Sequence, residues 1–265
     1  MMKKAFRLLC TAGLLTAFLS GTQAFAEAEK LDSNGNIIFE AGLLPPVTVD
    51  PEEPGTPVDP GETPSTDGYL RLDFVPRLDF GRNRVSDKDQ AYEVNAQLFH
   101  SDTNARGNYV QVTDSRATGA GWTLQVRQET NFTSVENSED ILKGAFLSFD
   151  KAWANSTMDQ KYAPSFQQDV IELDKIGMTY DVATAKQGTG YGTWLIEFGA
   201  SEENTAGLAS TLTPLVDESG NAVMDATFNK QVYKNSAITF FVPGSVEKKP
   251  VHYQTVLTWI IAELP

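Results

Sequence analysis

His100 and His252 are the only histidines of the chain and Cys10 is its only cysteine, so the residue types behind most hydrolytic and metal chemistry are nearly missing. No Gly-x-Ser-x-Gly elbow and no His-Glu-x-x-His run occurs, which leaves a serine triad and a zinc site without components. His252 stands in an alternating run before Tyr253 and reads as a strand residue rather than a ligand. Paired carboxylates remain, because 35 Asp and Glu are present and a glycosidase needs two. Yet Glu136, Glu139, Asp140, Glu202, Glu203, Asp217 and Glu218 fall in turn-like stretches, where solvated charge is the ordinary reading. The acidic run Asp32-Ser33-Asn34-Gly35-Asn36 lacks the spacing and distal Glu of a calcium loop. The sequence therefore predicts no catalytic residue, no metal site and no cofactor, and the protein is expected not to be an enzyme.

Aromatic side chains are the better candidates for work, since their faces pack on the apolar faces of sugar rings while nearby polar groups meet the sugar hydroxyls. Trp122, Trp194 and Trp259 each sit in strand-like alternation, where burial in a core is the commoner role and ligand contact the alternative. Gly119 and Gly121 allow a tight turn or a close backbone approach just before Trp122. Thr123, Gln125, Thr255 and Thr258 supply polar groups beside the tryptophans that suit either a ligand or a solvated strand face.

These residues must be positioned by strands. Short β-rich runs recur at Leu70 to Phe74, Tyr109 to Val112, Trp122 to Val126, Phe146 to Phe149, Trp194 to Phe198, Ala237 to Val242 and His252 to Ile261, separated by Gly-, Ser- and Pro-containing turns. The predicted class is all-β: a single antiparallel sandwich or barrel-like domain with long loops over residues 69–265. In the last run, Leu257, Trp259 and Ile261 share one face and Val256 and Ile260 the other, the pattern of a central strand.

Residues 1–26 read as a secretory signal: Lys3, Lys4 and Arg7 precede a short apolar run that ends at Ala24-Phe25-Ala26. No later run reaches the roughly 20 apolar residues of a membrane helix, so no transmembrane segment is expected. Cleavage would remove Cys10 and with it any disulfide. Residues 27–44 hold a strand segment turning at Asn34-Gly35. Residues 45–68 contain seven of the 13 prolines, mixed with Asp, Glu, Thr and Gly, and read as an extended linker. Removal of Val49 to Ser65 is expected to leave the fold largely intact, since loop closure is insensitive to length. The net charge of −14, with no basic stripe after the first residues, argues against nucleic acid as a partner.

Several blocks in fixed order carry a resemblance. Leu78-Asp79-Phe80-Gly81, the run from Val110 to Val126, Leu142-Lys143-Gly144-Ala145-Phe146-Leu147-Ser148-Phe149, Val242-Pro243-Gly244-Ser245 and the stretch from Tyr253 to Pro265 together resemble the WxL cell-surface domain of Gram-positive bacteria. Members of that family carry two Trp-x-Leu motifs. The first is intact here as Trp122-Thr123-Leu124, whereas the second is Trp259-Ile260-Ile261, with Ile for Leu, a swap that keeps volume and apolarity. The resemblance implies a secreted, non-catalytic protein of the extracellular cell surface that binds peptidoglycan non-covalently. It makes Trp122, Leu124, Trp259 and Ile261 the candidate binding residues. It also implies a surface protein assembly whose members include a membrane-anchored WxL-interacting protein. The alternative is an adhesin or structural subunit retained by that anchored partner rather than by peptidoglycan itself. No LPxTG motif follows the last strand, so attachment is expected to be non-covalent or through a partner, and wall binding is expected to survive removal of Val49 to Ser65 largely intact.

Overall fold

A computed structural model describes residues 47–166 and 169–264; the signal segment and the strand segment expected over residues 27–44 lie outside them. Strands β1 (Leu70–Phe74), β2 (Gln90–Asn95), β3 (Asn108–Asp114), β4 (Trp122–Gln128), β5 (Thr133–Ser134), β6 (Phe146–Asp150), β7 (Ala152–Asn155) and β8 (Val170–Glu172) come first. They are followed by β9 (Thr179–Ala185), β10 (Gly192–Phe198), β11 (Leu212–Pro214), β12 (Met224–Asp225), β13 (Lys230–Gln231), β14 (Tyr233–Val242), β15 (Tyr253–Gln254) and β16 (Leu257–Glu263). All strand pairings are antiparallel, no α-helix occurs among the described residues, and no sheet closes into a barrel. The all-β, sandwich-like expectation holds.

Three sheets enclose the main core. One has the order β1-β3-β10-β7, a second β16-β4-β9, and a third β11-β14-β6-β8 with β2 also paired to β14. Each sends alternate residues inward: Val110, Val112, Trp194 and Ile196 from the first, Trp122, Leu124 and Val126 from the second, and Leu147, Phe149, Ile238 and Phe240 from the third. Strand β4 shows the rule in its simplest form, since Trp122, Leu124, Val126 and Gln128 are buried while Thr123, Gln125 and Arg127 are not.

Strand β3 departs from it, being buried at every residue. Its second face, with Leu195 of β10, needs its own cover. That cover comes from the segment expected to be a spacer. Residues 48–58 form a small hairpin (Val49 bridges Pro57), and Val49 and Val58 pack on Phe74, Phe99, Tyr109 and Leu195. Gln111 acts as a surrogate strand partner: its Oε1 accepts from Val49 N at 3.0 Å and its Nε2 donates to the Val47 carbonyl at 2.8 Å. Low hydrophobicity misled the linker reading, because this segment is held chiefly by buried polar bonds rather than by apolar mass. The expectation that it can be removed without effect is therefore withdrawn. A second correction concerns the last strand: among the described residues β16 ends its sheet, pairing with β4 alone, and it is half-buried along most of its length rather than central.

Beneath the hairpin lies a buried charge cluster. Arg106 donates through Nε to Asp50 Oδ1 at 3.0 Å, through Nη2 to Asp50 Oδ2 at 3.0 Å, and through Nη1 to Glu203 at 2.7 Å and Ser201 Oγ at 3.1 Å. Glu52 lies 3.3 Å from the same Nη1 and accepts from Ser201 N at 2.5 Å. Burial works against the Arg106 charge, and the bonds to Asp50 and Glu203 overcome it, so its pKa stands above the ordinary value. Glu197 of β10 is fully buried beside these groups, and neither of its carboxyl oxygens has a partner among the described residues. Burial, then the Glu52 and Asp50 carboxylates, push its pKa well up, despite the opposing pull of Arg106. The neighbouring Tyr109 hydroxyl is raised for the same reasons, burial first and then the charges of Asp50 and Glu197.

A carboxyl raised in this way binds its proton more tightly in the folded than in the unfolded chain. Its contribution to stability is thus complete below the unfolded value of about 4.3 and is lost as pH rises through the folded one. Glu197→Gln removes that titration. The variant is expected to gain in melting temperature over wild type as pH rises from about 4.3 to neutrality, as read by calorimetry across that range. A difference that does not change with pH would contradict a proton held by Glu197.

Candidate functional site

The two Trp-led motifs are far apart in sequence and adjacent in the fold. Antiparallel pairing of β16 with β4 sets Ile261 opposite Leu124, Trp259 opposite Val126 and Glu263 opposite Trp122, so both motifs point their large side chains to one face. On the other side of β4, Trp122 meets Ala185 and Leu124 meets Ala183 of β9, small residues that leave room for the large ones.

Their environments differ. Trp122 and Leu124 are completely buried, and Trp122 Nε1 donates to the Gly190 carbonyl at 2.9 Å. Gly190 sits at φ 74°, and a Cβ there would come within 2.7 Å of the indole nitrogen, so this turn admits only glycine. Gly121, at φ 82°, likewise runs too close to the backbone of Ala185 and Lys186 to carry a side chain. These glycines serve close packing. Trp194 is also fully buried, with its indole N–H donated to the Tyr191 carbonyl at 2.9 Å, and Trp153 donates to Gly199 O at 2.7 Å.

Trp259 alone of the four has no hydrogen-bond acceptor for its indole N–H among the described residues. Trp259 and Ile261 are half-buried. The Trp259 ring stands edge-on to Phe149, centroids 5.9 Å apart and interplanar angle 88°, and tilts toward Phe198 at 6.3 Å. It also lines an open cleft of about 1490 Å³, where Tyr92, Phe132, Leu147 and Phe240 contribute apolar wall and His252, exposed, stands at the margin. The lining mixes these apolar residues with charged ones, among them Glu62, Asp79, Glu136, Lys248 and Lys249, so the concavity could take a ligand that has both apolar and polar parts.

The cleft is bordered by residues 75–85, an irregular segment that presents Arg77, Arg82 and Arg84 to solvent while Leu78 and Phe80 pack inward. Sequence reading missed this loop and recorded no basic stripe. The signal was three arginines within eight residues of a chain with a net charge of −14. Asp79 ties the loop by accepting from Gly81 N at 2.8 Å and Asn95 Nδ2 at 3.0 Å, and Lys234 Nζ donates to the Phe80 and Glu93 carbonyls at 3.0 and 3.1 Å. Burial pulls the Lys234 pKa down, against the charges of Asp79 and Glu93.

The remaining candidates are accounted for locally. Gln125 donates to Asp181 at 2.6 Å, Thr258 to Glu129 at 2.5 Å and Thr255 to the Thr130 carbonyl at 2.5 Å. His100 is exposed and its ring tilts against Phe228, centroids 4.6 Å apart. Glu136, Glu139, Glu202, Asp217 and Glu218 are exposed, as expected for solvated charge; Glu203 is exposed yet reaches Arg106. Among the described residues, no group of three or more His, Cys, Asp or Glu is arranged to hold a metal ion, and no helix is long and apolar enough to cross a membrane.

No curated protein and no solved structure matches the chain. Two Trp-led motifs paired in register on one sheet face are nonetheless a specific arrangement, and the family model of the WxL domain, a surface cell wall-binding domain, matches residues 26–265, so the chain belongs to the WxL family.

Proposed function

We propose that this protein is a secreted, non-catalytic surface protein that holds peptidoglycan non-covalently in the cleft lined by Trp259. The observation that carries the reading is the contrast between the tryptophans: three indole N–H groups are satisfied within the fold, and the fourth, at the cleft, is left for an acceptor outside it. A sugar ring against the Trp259 face, with a hydroxyl accepting from its N–H, uses both halves of that side chain. Family membership supports attachment at the cell wall. Binding of this kind requires no acid, base, nucleophile or metal.

The open edge of β16 favours a second reading. No strand among the described residues pairs with its outer backbone groups, and a membrane-anchored surface protein contributing a strand there would retain the domain without peptidoglycan. Co-sedimentation of the chain from residue 27 onward with purified Gram-positive sacculi, free of other protein, separates the two. Wild type is expected to pellet with sacculi alone; pelleting only after a membrane-anchored partner is added would support the second reading.

A further inference from the structure

The arginines of the described chain are almost all committed. Arg71 pairs with Asp73, Arg106 with Asp50, Arg116 with Asp114, Arg127 with Glu129 and Arg84 with Glu218. Arg77 and Arg82 have no carboxylate partner among the described residues, in a chain where acidic residues outnumber basic ones 35 to 21. Both line the cleft that Trp259 lines; Glu62, Asp79 and Glu136 line it as well, with Arg84, Lys248 and Lys249, yet none of its carboxylates is within ion-pair distance of Arg77 or Arg82. With acceptors so abundant, two unpaired guanidiniums on one wall of one concavity are placed for an anion that comes from outside. They ride on a braced loop: Leu78 and Phe80, half-buried, pack against the core, Asp79 is bonded to Asn95, and Lys234 holds the Phe80 carbonyl. The loop backbone is thus ordered before binding, and the exposed arginine side chains supply what freedom is lost.

We infer that Arg77 and Arg82 form the anion-recognising wall of the cleft, and that the ligand they select is a glycan strand whose peptide substituent ends in a free carboxylate. This rests on the wall-binding reading above and adds the chemical feature recognised. A guanidinium presents a planar fork of donors that matches a carboxylate, and a bond between two ionised groups is stronger than a neutral one. The apolar wall and the Trp259 ring take the sugar and the aliphatic parts of the peptide. A polyphosphate would satisfy the same fork, but each of its added charges would meet the field of a strongly acidic protein, in which 35 acidic residues face 21 basic ones, whereas a single carboxylate meets that field once.

The test uses the chain from residue 27 onward, wild type and the double variant R77Q/R82Q, with two soluble probes: a disaccharide-peptide fragment with a free terminal carboxylate, and the same fragment as its carboxamide. Wild type is expected to bind the acid about tenfold more tightly than the amide by calorimetry, the scale of one charged hydrogen bond. The double variant should bind acid and amide alike, with its melting temperature unchanged, both arginines being exposed. Equal affinity of wild type for acid and amide, or a variant that keeps the preference, overturns the inference while wall binding stands. So does binding to sacculi that disappears when anionic polymers are stripped off or when poly(glycerol phosphate) competes. Wild type that binds neither fragment but still pellets with stripped sacculi overturns it too. Failure of wild type to pellet with any sacculi removes the wall-binding reading itself.

Discussion

Arg106→Ala is expected to lower the melting temperature by roughly 10 °C or more, because removing one partner of a buried ionic network costs about 3–5 kcal/mol and leaves the other charges uncompensated. The side chain of Arg106 is 4% exposed and bonds Asp50, Glu203 and Ser201 at once, with Glu52 in ionic reach. Without it, Asp50 and Glu52 confront Glu197 in a buried space with no cation. Adding Asp50→Asn to the alanine variant should restore part of the loss, since it removes one of the stranded charges. Deletion of residues 48–60 is expected to be more severe, uncovering Phe74, Phe99, Tyr109 and Leu195 together and leaving an aggregating product. Circular dichroism melting and the soluble yield check both. An unchanged melting temperature for Arg106→Ala, or a soluble, cooperatively melting deletion, would show that the hairpin is a passive spacer after all.

The second large effect is expected at Trp122. Replacing a fully buried ring with Ala costs roughly 3–5 kcal/mol, a large share of the 5–15 kcal/mol that holds a typical domain together. Here the indole also anchors the Gly190 turn, and its space is shaped by Ala183 and Ala185 across β9. Loss of wall binding by such a variant would therefore follow from loss of fold, and denaturant melting should detect it first. Trp122→Ala with the stability of wild type would overturn the assignment of this motif to the core.

Strand content was legible because β4, β6 and β14 alternate with a period of two, and a half-buried strand requires that alternation. The same alternation made a core place the commoner reading of Trp122, while the resemblance made Trp122 and Leu124 candidate binding residues; in the fold both are completely buried. The 48–58 hairpin was not, since nothing local distinguishes a proline- and acid-rich spacer from a cover held by Gln111, Asn155 and Arg106, residues between about 50 and 105 positions away. Glu197 was hidden too: its neighbours in sequence are apolar, and only the fold places it against Glu52 and Asp50. The division of labour between Trp122 and Trp259 is likewise a product of sheet order. Both sit in similar runs, but β4 is the middle strand and β16 the edge, so one ring is enclosed and the other left open to a cleft.

Wall binding through Trp259 is the central claim, and a binding isotherm on purified sacculi for wild type and Trp259→Leu tests it most directly. Leucine keeps apolar contact with Phe149 and Phe198 on a half-buried edge strand, so melting should shift by only a few degrees. Affinity for sacculi is expected to fall by roughly thirtyfold, the loss of about 2 kcal/mol typical of an aromatic anchor. An isotherm for the folded variant that overlays that of wild type would contradict the account.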